Sequence, residues 1–139
     1  MRNVDVAKSL LTQSARRLET AKRELNEGSL AYSIRSSQEA VELALKAALR
    51  LLGIEYPKRH DVSPALIKFR DRFPAWFPVD EMADVSRKLA EKREPAMYGD
   101  ELSMTPADLV FDKSEAEEAF NSAEQAYKAV KKLFAEYSG

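Results

Sequence analysis

Cysteine is absent from this 139-residue chain, and histidine occurs only once, at His60. Without cysteine there is no disulfide, no thiolate nucleophile and no zinc site of the cysteine type, and one histidine cannot anchor a structural zinc site by itself. An excess of one charge is missing as well. The 22 Lys and Arg nearly cancel the 23 Asp and Glu, so any nucleic-acid or nucleotide interaction needs a local patch. The start, MRNVDVAKSLL, lacks the continuous apolar stretch of a secretory signal. The longest nearly apolar run, Ala40 to Leu52, is interrupted by Glu42, Lys46 and Arg50 and is too short to cross a bilayer. No membrane partner and a cytoplasmic location are expected.

Missing motifs narrow the chemistry further. There is no glycine-rich phosphate loop ending in Lys and Ser or Thr, and no dinucleotide fingerprint. A serine-histidine arrangement would have to use His60, and nothing near it supports one. Aromatic residues are not interleaved with basic ones as in a single-stranded nucleic-acid platform. No cofactor and no metal are implied.

What is present is helical periodicity. Val4, Leu11, Leu18 and Leu25 recur every seven residues beside a companion row of Ala7, Ser14 and Ala21, which puts both rows on one stripe of a helix ended at Gly28. Ser29 can cap a second helix, Leu30 to Leu52, that is apolar around most of its girth and therefore belongs at the bundle centre. A basic connection, IEYPKRHDV, leads to Ser63-Pro64, an N-cap and first-turn proline opening a short helix to about Phe73. Pro74, Trp76, Phe77 and Pro78 form a turn whose aromatic rings plug the bundle end. A further helix covers about Val79 to Arg93 through Met82, Val85 and Leu89.

Glu94 to Leu109 reads as an irregular connection with one short turn opened by Thr105-Pro106. The last helix begins at a Ser114/Glu117 capping box and keeps its apolar spacing to Tyr137. The expectation is one all-α domain over residues 1–139, an antiparallel bundle of about four to five helices, three long and two short.

Three constellations carry candidate chemistry. In Arg93-Glu94-Pro95-Ala96-Met97-Tyr98-Gly99-Asp100, an arginine at a helix end can offer its guanidinium to a phosphate while Gly99 lets backbone approach; alternatively, Arg93 pairs locally and Tyr98 fills the bundle end. In Lys58-Arg59-His60-Asp61, Asp61 can orient His60 for acid-base work, unless the segment is only a solvated basic loop. In the central helix, Gln38, Glu39, Glu42 and Lys46 can face an interhelical cleft, or form an ordinary salt-bridged strip.

Taken in order, the first helix, YSIRSSQEAVELALKAALRLLGIEYPKRHDV from Tyr32 to Val62, REPAMYGD from Arg93 to Asp100 and the Glu- and Ala-rich last helix resemble the HEPN family. The resemblance implies a bundle of four or five helices that often dimerises with the arginine near the dimer cleft, and frequent pairing with a minimal nucleotidyltransferase as a toxin-antitoxin system. Other members it points to are metal-independent ribonucleases, which carry an arginine, a few variable residues and then a histidine. Here Arg93 matches the arginine, but Tyr98 stands at the histidine's place, and a phenol is a poor general base near neutral pH. The expected function is therefore nucleotide, RNA or partner binding, with Arg93, Tyr98, Lys58, Arg59, His60, Glu42 and Lys46 as ligand-binding candidates. RNA cleavage through Arg93, with Tyr98 or His60, and a purely structural interaction module are the alternatives.

Overall fold

The computed structural model describes residues 2–138. Its α-helices are α1 (Asn3–Asn26), α2 (Leu30–Leu51), α3 (Ser63–Lys68), α4 (Val79–Tyr98), α5 (Ala107–Val110) and α6 (Lys113–Ser138), with a 3-10 turn at Arg70–Arg72. Six helices among the described residues, four of them long, replace the expected four to five with three long. Two local causes account for the difference. Pro95 sits inside α4 instead of ending the helix near Arg93. A proline removes only its own N–H from the helical ladder, and the last turn is still closed by the Gly99 N–H donating to the Pro95 carbonyl at 2.8 Å. The turn opened by Pro106 is then a helix in its own right, α5.

α1 and α2 are held as an antiparallel pair by their smallest side chains. Gly28, at φ +80°, turns the chain, and the Ser29 N–H donates back to the Glu24 carbonyl at 2.9 Å. Ala7, Ser14 and Ala21 are the buried residues of α1, whereas the leucines beside them are partly buried. Small side chains bring the helices close enough for hydroxyls to reach backbone: Ser14 Oγ donates to the Ala40 carbonyl at 2.7 Å, and Ser33 Oγ to the Ala21 carbonyl at 2.8 Å. The companion row is therefore the seam.

α2 lies at the centre, packed on α1, α4 and α6, as its broad apolar girth predicts. α6 covers it with Ala116, Ala119, Ala123, Ala126, Val130 and Leu133. Phe73 and Phe77 are buried at one end, with ring centroids 4.7 Å apart.

Two capping assignments shift by one or two residues. α6 is capped by Asp112, whose carboxylate accepts from the Glu115 N–H at 2.8 Å while Glu115 accepts from the Asp112 N–H at 3.2 Å, so the capping box is not Ser114/Glu117. Ser63 is already helical, and the N-cap of α3 is Val62.

Candidate functional site

The connection between α2 and α3 folds back over α2 and places His60 beside the middle of that helix. His60 Nδ1 lies 2.7 Å from Glu42 Oε1, and Lys46 Nζ donates to Glu42 Oε2 at 2.8 Å. Glu42 also accepts from Gln38 Nε2 at 2.9 Å, one turn earlier on α2. Burial pushes the Glu42 carboxyl up, but hydrogen bonds from Lys46, Gln38 and His60, with the Lys46 charge, outweigh it and hold the group below the ordinary carboxylate value. Lys46 is nearly buried and rests over the Tyr56 ring at 5.3 Å, so it is committed to this pair.

Arg93 enters the same network from α4. Its Nη1 donates to Gln38 Oε1 at 2.7 Å and to Glu39 Oε2 at 3.2 Å. Gln38, 2% exposed, uses its amide oxygen toward Arg93 and its amide nitrogen toward Glu42. A continuous chain thus runs from Arg93 through Gln38 and Glu42 to His60. On the other side, Glu39 accepts from Arg17 Nε of α1 at 3.1 Å and lies 3.9 Å from Arg35 Nε.

These groups surround a hollow of about 180 Å³ lined by Gln13, Arg17, Glu39, Glu42, Leu43, His60 and Arg93. Four fixed cations, Arg17, Arg35, Arg93 and Lys46, meet two carboxylates, Glu39 and Glu42, which leaves a local surplus of positive charge in a chain that is nearly neutral overall. Guanidinium groups offer planar forks suited to phosphate or carboxylate oxygens. Among the described residues no three His, Asp or Glu side chains gather to hold a metal ion.

A model of the HEPN domain matches residues 7–133. The chain belongs to the HEPN family. Two solved structures share its fold. The crystal structure of TT1696 from Thermus thermophilus superposes with a TM-score of 0.76 at 26% identity, over 91% of this chain and 96% of that one. ST0689, an archaeal HEPN homologue, superposes with a TM-score of 0.71 at 22% identity, over 96% of this chain and 98% of that one. No curated protein matches the sequence.

Of the residues singled out from the sequence of this HEPN chain, the structure brings together Arg93, His60 and Glu42, with Lys46 behind Glu42. Tyr98 goes elsewhere. It is 65% exposed and lines a separate hollow with Glu91, Glu94 and Leu102. Five residues along a helix turn through about 140° net, so once α4 continues through Pro95 the two side chains leave on different faces. Lys58 and Arg59 are exposed and make no ion pair among the described residues. Gln13, Arg17 and Arg35 were not singled out. Gln13 and Arg17 are four apart and flank Ser14 of the buried row, which is the signal that they overhang the seam. No helix among the described residues is long and apolar enough to cross a membrane.

Proposed function

We propose that this HEPN protein binds a phosphate-bearing ligand, a nucleotide or RNA, in the hollow beneath Arg93, and acts in the cytoplasm as the homodimeric HEPN component of a toxin-antitoxin type pair with a minimal nucleotidyltransferase. The pairing and the homodimer rest on the family resemblance. The ligand class rests on one observation: arginines from three helices, Arg17 of α1, Arg35 of α2 and Arg93 of α4, converge on the single carboxylate of Glu39. A phosphate offers more oxygens than that carboxylate and can take over two of its guanidinium partners. The deciding experiment is anisotropy of labelled single-stranded RNA, and of a labelled adenine nucleotide, against the intact protein and its Arg93→Ala and Arg17→Ala variants. Saturable, salt-sensitive binding that weakens in both variants supports the reading. Unchanged affinity in folded Arg93→Ala returns Arg93 to a structural role.

Metal-independent RNA cleavage is the second reading, favoured by the His60–Glu42 pair. Glu42 engages Nδ1 and orients the ring, Nε2 has no hydrogen bond among the described residues, and His60 lines the hollow that Arg93 also lines, the placement a general base requires. Cleavage in EDTA, lost in Arg93→Ala and His60→Ala alike, supports this reading; no cleavage by folded protein removes it.

A further inference from the structure

The side of α4 turned away from the network carries a second surface. Glu81, Val85, Lys88, Lys92, Pro95 and Tyr98 follow one another at helical spacing, whereas Met82, Ser86, Leu89 and Ala96 are buried. Between α4 and the start of α6 this side opens into a groove of about 520 Å³, where half-buried Val85 and Pro95 give apolar surface above the buried Leu89 and Ala119. Its walls carry five carboxylates against two lysines. Both lysines are engaged, Lys88 near Asp84 at 3.9 Å and Lys92 near Glu115 at 3.8 Å, while Glu81, Glu91 and Glu118 have no cationic partner among the described residues.

The groove runs on at Glu91 and Pro95 into the hollow beside Tyr98, where Glu94, Asp100 and Glu101 add further negative charge and no cation joins the lining among the described residues. It ends at a stiff hairpin. Asp100 and Thr105 exchange backbone hydrogen bonds of 2.9 and 3.0 Å, and the Asp100 carboxylate accepts from the Leu102 N–H at 3.0 Å. This well-bonded turn holds Leu102, 99% exposed, and Met104, 88% exposed, in water. Ordered backbone presenting bare aliphatic side chains beside that apolar surface is the composition of a protein-docking surface.

We infer that the outer face of α4 is a docking groove for a basic, amphipathic helix of a partner protein, whose aliphatic stripe lies on Val85 and Pro95 and whose Lys or Arg side chains meet Glu81, Glu91 and Glu118. Charge complementarity selects this occupant. A second copy related by a twofold axis would bring the same unpaired carboxylates face to face, which is repulsive. A helix suits a trough running between two helices, and no sheet edge exists among the described residues for an extended strand to join. The span from residue 81 to 98 accommodates a partner helix of about 18 residues, about 27 Å long.

The test uses the full chain and a designed, labelled peptide of that length with leucines on one face and lysines on the other, beside a control with glutamate in place of lysine. The basic peptide is expected to bind, to perturb amide resonances along α4 and at residues 115–122, and to bind about tenfold or more weakly to the Glu81→Gln/Glu91→Gln/Glu118→Gln variant. Leu102→Ser, at a fully exposed position that the core does not use, is expected to weaken it as well. RNA affinity at the Arg93 hollow stays unchanged in these variants, which separates this inference from the proposed function. Failure of the basic peptide to bind, equal binding of the acidic control or of the triple variant, or perturbations centred on Arg17 and Arg93 would overturn it. So would self-association through this face that Leu102→Ser abolishes, because the groove would then belong to a second copy.

Discussion

His60 and Glu42, eighteen positions apart in the chain, meet at 2.7 Å over the middle of α2. Glu42 is the more consequential partner, because it also holds the nearly buried Lys46. Glu42→Gln leaves that ammonium without its counter-charge and is expected to destabilise the fold by about 2 kcal/mol. His60→Ala, at an exposed side chain, is expected to cost well under half as much. Urea denaturation of the two variants beside the parent protein checks the order; equal losses would mean that Lys46 finds its compensation elsewhere.

The same carboxyl makes stability depend on pH in a definite direction. Its folded-state value lies below the ordinary 4.5. Above that ordinary value the group is ionised in folded and unfolded chains alike, and its contribution is fully present. As pH falls further, the unfolded chain takes up the proton first, and the contribution drains away through the lowered folded-state value. Denaturation midpoints measured from pH 7 to pH 3 should therefore hold near neutrality and drop at the acid end, and Glu42→Gln should show a shallower drop.

Arg93→Ala removes the donor to Gln38 Oε1 and one partner of Glu39. A cost of about 1 kcal/mol is expected, too small to unfold the chain. Ligand affinity should fall about tenfold or more, and Arg93→Lys should restore little, since an ammonium cannot present a planar fork. Anisotropy and a thermal melt on the same samples separate the two effects.

Gly99 sits at φ +76°, and a Cβ there would run into the Thr105 carbonyl oxygen. Gly99→Ala is expected to cost about 2 kcal/mol or more and to open the hairpin. Faster amide exchange at Asp100 and Thr105, with the centre of α2 unaffected, is the signature.

Much of the helical framework was legible in the sequence because it depends on local periodicity. The seven-residue rows of α1, the girth of α2 and the stop at Gly28 all stand in the structure. Pro95 misled because a proline weighs heavily against a helix in isolation, whereas α4 already has a buried face holding it in place. That one residue decided the site: with a break at Arg93 nothing separates Arg93 from Tyr98, and with a continuous helix they part. Arg93, His60 and Glu42 each stood out, but their meeting could not, since no spacing rule links a loop histidine to a glutamate eighteen residues earlier. Arg17 is legible only once Ser14 is known to lie on the seam, since its place beside that row, and not its charge, sets it apart from the other cationic side chains of α1.

The hydroxyls of Ser14 and Ser33 have a consequence beyond the seam they close. Each is pinned to a carbonyl on the opposite helix, two fasteners nearly two turns apart, so α1 cannot slide along α2 by a single residue without shearing both. Arg17 is three positions from one fastener and four from the residue that receives the other. Its alignment with Glu39 is thus an index mark set by two small, uncharged groups, and the electrostatic pattern of the hollow inherits their tolerance rather than the looser reach of a long arginine side chain.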